Sequence, residues 1–292
     1  MTDFSAYIGR SRSETERLDA RLVRWLAAIF ERPELLNARG GEALPAGWHW
    51  TLFAPVAAMS GLGRDGHPQR GDFLPPTTQP RRMWAGSRLH WHASFRAESL
   101  VTRTTTIKSC EEKAGRSGAM VFVTLEHRLE SDGRLVLEEE QDLVYRGDAG
   151  PDEVAALARL AQRAQSEAIS PEKAGAFNRA VSADPVMLFR YSAATFNGHR
   201  IHYDRDYARE VEGYPGLVVH GPIIASLLLG FIEREVAPGG SIKHFAFRAK
   251  RPTFDIAAFA LHADRPDAAG ELAAWSTNNV GEVAVEAKAR IV

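Results

Sequence analysis

The pattern of apolar and polar positions divides the chain into helical and extended stretches. Ser13 and Glu16 have the spacing of a helix capping box, and apolar residues then recur at Leu18, Leu22, Leu26, Ile29 and Phe30. This predicts an amphipathic helix ending near Pro33. Residues 99–107, 119–128 and 134–145 alternate and are rich in β-branched side chains, which predicts antiparallel strands. Asp132-Gly133 supplies a hairpin turn between the last two. Residues 151–170 read as a polar-faced helix, followed by a short strand over 186–191. Further strands are predicted over 243–250, 257–262, 271–276 and 283–291.

One helix has no polar face. Pro222-Ile-Ile-Ala-Ser-Leu-Leu-Leu-Gly-Phe-Ile is apolar all round, so it must be buried on every side. In a chain otherwise rich in antiparallel strands, that implies a sheet wrapped around a helix: an α+β fold of the hot-dog arrangement. A faint internal echo points to two copies. Residues 24–30 (RWLAAIF) resemble residues 190–196 (RYSAATF), and a proline opening an apolar run follows each, at Pro55 and at Pro222. The predicted organisation is a degenerate first repeat over 1–150, a linker helix over 151–175 and a second repeat over 176–292. Aligned this way, Asn197 and His202 correspond to positions near Glu31 and Leu36, so the first copy reads as a wall and not as a second site.

Charge and composition narrow the class. With 292 residues, 36 Lys and Arg against 37 Asp and Glu, and 45% hydrophobic residues, the chain reads as a globular protein with ample core. A formal charge of −1 offers no general attraction to nucleic acid or anionic membranes. The single Cys110 excludes an intramolecular disulfide and fits a reducing compartment. The longest apolar stretch, 217–232, is broken by His220 and Pro222 and falls short of the roughly 20 residues that span a bilayer. A cytoplasmic protein is expected.

The chemistry concentrates in residues 191–222. Tyr191 leads into a loop holding Asn197, His199, Arg200, His202 and Asp204, and His220-Gly221-Pro222 opens the buried helix. Gly221 suits its N-cap and Pro222 its first turn. The free backbone N–H groups at that terminus would hold a developing oxyanion.

These motifs, Ile201-His-Tyr-Asp204 and Gly216-Leu-Val-Val-His-Gly-Pro222, resemble the MaoC or type 2 enoyl-CoA hydratase family. The closer likeness is to its hydroxyacyl-thioester dehydratase type 2 branch, which includes mesaconyl-C4-CoA (3-methylfumaryl-CoA) hydratases. Leu62-Gly-Arg-Asp-Gly-His-Pro68, Phe73-Leu-Pro-Pro76, Pro80-Arg-Arg-Met-Trp84 and Lys113-Ala-Gly-Arg-Ser-Gly118 extend the likeness across the first half. The resemblance implies a double hot-dog subunit, two antiparallel sheets each wrapped around a central helix. It also implies reversible hydration of an enoyl thioester without metal or redox cofactor, coenzyme A entering only as part of the substrate.

One position departs from the wider motif: the aspartate five residues before the histidine is Asn197, which can orient a group but cannot accept a proton. Either His202 carries the acid–base work alone or a carboxylate such as Asp65 comes from elsewhere. His202, Asn197 and Gly221 are therefore the expected catalytic groups. Tyr191, His199, Arg200, His220, Arg81, Arg82, Trp84 and Arg116 are the expected substrate contacts, with Arg200 preferred for a second substrate carboxylate. A metal bound by His199, His202 and Asp204 matches no standard zinc spacing and is not expected. The partner expected is a small acyl-CoA thioester, best a dicarboxylic one, with homo-oligomerisation possible. Two rival readings are a hot-dog thioesterase and a non-catalytic acyl-thioester-binding protein.

Overall fold

A computed structural model describes all residues except 1–2, 70, 72, 116–117 and 167–169. Ten strands form one antiparallel sheet: β1 (Ser11–Arg17), β2 (Arg81–Trp91), β3 (Leu100–Gly115), β4 (Gly118–Ser131), β5 (Arg134–Arg146), β6 (Phe177–Val181), β7 (Ile242–Ala249), β8 (Phe259–Ala263), β9 (Glu271–Thr277) and β10 (Val283–Ile291). Their spatial order is β1-β3-β4-β5-β2-β7-β10-β9-β8-β6. Read from either edge inward, each half follows the same chain order, first, third, fourth, fifth, second. The two halves meet where β2 pairs with β7, from Gly86↔Arg248 to His90↔His244. At that seam a Cβ on Gly86 would lie 2.2 Å from the Phe247 carbonyl oxygen, so the close approach of the two strands requires glycine there.

Among the described residues four α-helices accompany the sheet: α1 (Ala20–Ile29), α2 (Pro151–Ser166), α3 (Pro185–Ala194) and α4 (Gly221–Phe231). Helix α4 behaves as its composition demands. Every residue from Ile223 to Leu229 is buried, in a core that also takes in Phe245, Phe259, Leu261 and Val285 of the second half-sheet. Each such Leu or Ile contributes about 1.5–3 kcal/mol by leaving water.

Several local expectations are corrected. Ser13 and Glu16 do not cap a helix. They lie on the edge strand β1, where Ser13 and Thr15 pair through their hydroxyls with Thr104 and Thr102 of β3. Helix α1 starts later, with Asp19 accepting from the Arg21 N–H and Glu98 from the Ala20 N–H. Residues 186–191 belong to helix α3, not a strand, because Asp184 caps it through the Met187 N–H and Pro185 occupies its first turn. The apolar run after Pro55 forms no α-helix, only a single 3-10 turn at Met59–Gly61, and Val56 and Met59 are 83% and 84% exposed. Among the described residues the first half thus has no counterpart of α4.

The repeat itself is present, one residue out of the expected alignment. Asp19 and Asp184 cap α1 and α3, and each helix is followed by a left-handed residue, Glu31 (φ 52°) and Phe196 (φ 51°). Asn197 then corresponds to Arg32 and His202 to Asn37, so the first copy carries no histidine at the position of His202.

The seam yields a prediction. Gly86→Ala should destabilise the fold by about 1–3 kcal/mol or more in guanidinium unfolding, whereas Gly61→Ala, whose Cβ meets nothing within 4 Å, should stay within about 0.5 kcal/mol of wild type. Equal midpoints would show that the β2–β7 contact is not close.

Candidate active site

The hollow of the first half and the N-terminus of α4 open on one cavity of about 1260 Å³. Its reactive end is assembled by two loops from opposite halves of the chain. Their backbones touch: a Cβ on Gly66 (φ 86°) would lie 2.0 Å from the Gly198 carbonyl oxygen, and the Arg200 N–H donates to the Asp65 carbonyl at 2.8 Å. This contact sets four imidazoles in file. Ring centroids are 4.1 Å apart for His67 and His199, 5.3 Å for His199 and His202, and 3.6 Å for His202 and His220.

His202 sits in a short turn over residues 200–202 and is buried. Its Nδ1–H donates to the Val218 carbonyl at 2.7 Å, a bond that a carbonyl can only accept. The proton is therefore on Nδ1, and Nε2 keeps a free lone pair. Burial pushes the His202 pKa down to about 4, with the Val218 bond opposing and His67 adding to the effect. His199 and His220 are held well below the usual imidazole range, first by burial and then by their neighbours in the file. His67 is lowered by burial too, but Asp65 works against that. Asp65 takes the His67 N–H at one carboxylate oxygen and the His67 Nδ1 at the other, both at 3.1 Å. Burial alone would raise Asp65, and the bonds and charge of His67 outweigh it.

Asn197 lines the cavity, but its side-chain oxygen accepts the His199 N–H at 3.0 Å, so it shapes the loop. His220, not Gly221, is the N-cap of α4; Gly221 is the first helical residue. A Cβ there would meet nothing within 4 Å, and Gly221 lines the cavity at the positive end of the helix. His220 is fixed by Ser192 at 2.9 Å, and Tyr191 packs edge-on against it.

The expected substrate contacts divide. Trp84 lines the cavity against Trp50 and Phe247. Arg81 is a strut, bonded to Glu212 and Tyr214 and close to Glu153 of α2. Arg82 lines the cavity. Arg200 is corrected: it does not line the cavity, and both its Nε and an Nη bind Asp204 while it lies over Tyr207. Arg116 lies outside the described residues. Asp204 is structural, capping the Tyr207 N–H.

Asp65, His67 and His199 place donor atoms within 4.8 Å of one another. Because Asp65 already commits both oxygens to His67, we read them as a hydrogen-bonded dyad and its neighbour, not as metal ligands. His67 was not singled out by sequence, although it stands in the same Gly-Arg-Asp-Gly-His-Pro motif as Asp65.

The hydroxyacyl-thioester dehydratase type 2 family matches residues 47–255. The chain belongs to this family. It is an enzyme of the hydro-lyase class. A mesaconyl-C(4)-CoA hydratase from Chloroflexus aurantiacus is 41% identical over 265 residues, covering 91% of this chain and 90% of its own. A mitochondrial hydroxyacyl-thioester dehydratase type 2 from Schizosaccharomyces pombe is 28% identical over 237 residues, 73% of this chain and 75% of its own. Among solved structures, a MaoC-like dehydratase matches with TM-score 0.71 at 14% identity, covering 99% of this chain and 98% of its own. A Mycobacterium tuberculosis protein described as a double hot-dog matches with TM-score 0.59 at 14% identity, covering 98% and 96%. The dehydratase fold here is accordingly a double hot-dog, with α4 as its central helix. Among the described residues no helix is long and apolar enough to cross a membrane.

The file of neutral imidazoles has a thermodynamic signature. His202 titrates near 4 when folded and near 6.5 when unfolded, so the unfolded chain binds more protons between those values. Stability should therefore fall as pH drops from about 6.5 to 4. His202→Gln should lose about 3 kcal/mol less over that window, measured by guanidinium unfolding at each pH. Parallel curves for the two proteins would mean that His202 is protonated as freely in the folded state as in the unfolded.

Proposed function

We propose that this dehydratase-family enzyme adds water reversibly across the double bond of an enoyl-CoA thioester, with a small dicarboxylic acyl chain of the mesaconyl-C4 kind as its substrate. The reading is carried by His202: a buried, neutral imidazole whose tautomer leaves Nε2 free, beside the N-terminus of a helix that borders the cavity. The 41% identity to a mesaconyl-C(4)-CoA hydratase supports the choice of acyl chain.

In the scheme, Nε2 of His202 takes a proton from water, and the oxygen forms its bond to the β-carbon. The β-carbon's π electrons shift toward the thioester, whose oxygen gains negative charge opposite the Gly221 N–H. The imidazolium then returns the proton to the α-carbon, and the electrons move back to restore the thioester. Dehydration is the reverse. No proton acceptor beyond His202 is needed, and no metal or redox cofactor enters. Asp65 supplies the carboxylate that Asn197 does not: its charge, held against His67 two rings away, favours the transient imidazolium on His202.

The test is loss of the enoyl absorbance of mesaconyl-C4-CoA with a thiol trap present. Hydration removes the band without free thiol; release of thiol would instead make the enzyme a thioesterase. His202→Ala should lower kcat by at least about 1000-fold and Asp65→Asn by about 10-fold, each with an unchanged circular dichroism spectrum. A folded His202→Ala enzyme with full activity would overturn the scheme.

A further inference from the structure

The charges around the cavity do not balance locally. Four carboxylates line it, and each is already committed. Asp65 holds His67; Glu139 holds His49 and Trp50; Glu153 and Glu212 hold Arg81, and Glu153 also binds Arg146. Among the lining cations, Arg64, Arg103, Lys250 and Arg251 are paired with Asp148, Glu14, Glu286 and Glu282. Arg12 and Arg248 are exposed. Arg82 is different. It is half-buried, lines the cavity, and its side chain has no hydrogen bond or ion pair among the described residues. Its charge acts on both His67 and His199 and favours their neutral forms, so neither ring competes with it for an anion. A guanidinium withdrawn from water without an anion is costly, so the missing anion is brought by the ligand.

Position decides which anion. In a coenzyme A thioester the phosphates are separated from the thioester by the whole pantetheine arm. A carboxylate borne on the β-carbon is one bond from the atom that water attacks. Arg82 lines the same cavity as the acid–base file, and its charge reaches His67 and His199, which favours the second kind.

We infer that Arg82 is the specificity residue of this site, binding a carboxylate carried on the β-carbon of the acyl chain by a charge-assisted, forked pair of hydrogen bonds. The inference rests on the reading of the cavity as an acyl-CoA site and deepens it. It also explains why two adjacent arginines on β2 have separate duties. Arg81 is immobilised among Glu212, Tyr214 and Glu153 and holds the wall, while Arg82 is left free for substrate.

Binding of unreactive saturated thioesters tests this without any turnover. Succinyl-CoA carries a carboxylate on its β-carbon, and butyryl-CoA has a methyl group there. By calorimetry, wild type should bind succinyl-CoA about 100-fold more tightly than butyryl-CoA. Arg82→Gln should lose that preference, with succinyl-CoA weakened about 100-fold and butyryl-CoA within about threefold. Arg82→Lys should recover part of it. The retained butyryl-CoA affinity doubles as the control for folding. If both ligands weaken alike in Arg82→Gln, the arginine holds the coenzyme A phosphates and the inference fails. If neither weakens, or if wild type binds the two equally, it fails as well. Failure of hydration itself would show separately, in the absorbance assay with wild type.

Discussion

A helix with no polar face can exist only if something covers it on all sides, and α4 imposes that demand on the rest of the chain. The second half-sheet curls around it, and its burial is nearly complete from Ile223 to Leu229. Its start is partly uncovered. There His220 and Gly221 line the cavity, so the end of the helix that carries positive charge is also the end that borders it. The first half-sheet repeats the strand order but has no such helix among the described residues. The volume it would fill is cavity instead. One copy carries the buried helix and the other encloses most of the room.

The site is assembled by backbone contact between the copies. Two glycines, Gly66 and Gly198, let loops from opposite halves approach more closely than any side chain would permit. The consequence is electrostatic. Four imidazoles packed in file cannot all be charged, and burial presses each of them toward the neutral form. A neutral histidine with its Nδ1 proton held by a carbonyl is a base at neutral pH. The sole carboxylate hydrogen-bonded to the file, among the described residues, comes from the other copy, through Asp65. That carboxylate lies far from Asn197 in sequence, and Asn197 keeps a loop-shaping bond to the His199 N–H.

The regular elements were largely legible in the sequence. The hairpin strands β3 to β5, the strands after residue 242 and the buried helix all follow from periodicity that reflects which face meets the core, and the Asp132-Gly133 hairpin turn from its turn residues. Two segments were misread because a local signal had two interpretations. The spacing of Ser13 and Glu16 serves a hydroxyl ladder on an edge strand as well as a capping box. The β-branched and aromatic run over 186–191 outweighed the Asp184-Pro185 helix start that precedes it.

The sequence by itself determined which residues were capable of the chemistry: the histidines of 199–220, the glycine at the helix start, the paired arginines at 81 and 82. It did not determine which of them are free. Arg200 is taken by Asp204, four residues on, and Arg81 by Glu212 and Tyr214, more than 130 residues on, while the Arg82 side chain has no hydrogen-bond or ion-pair partner among the described residues. His67 enters the site only because its loop docks on residues 198–200. Charge pairing and burial depend on distances through space, and these distances are set by how the two sheets join, which no local pattern in the chain encodes.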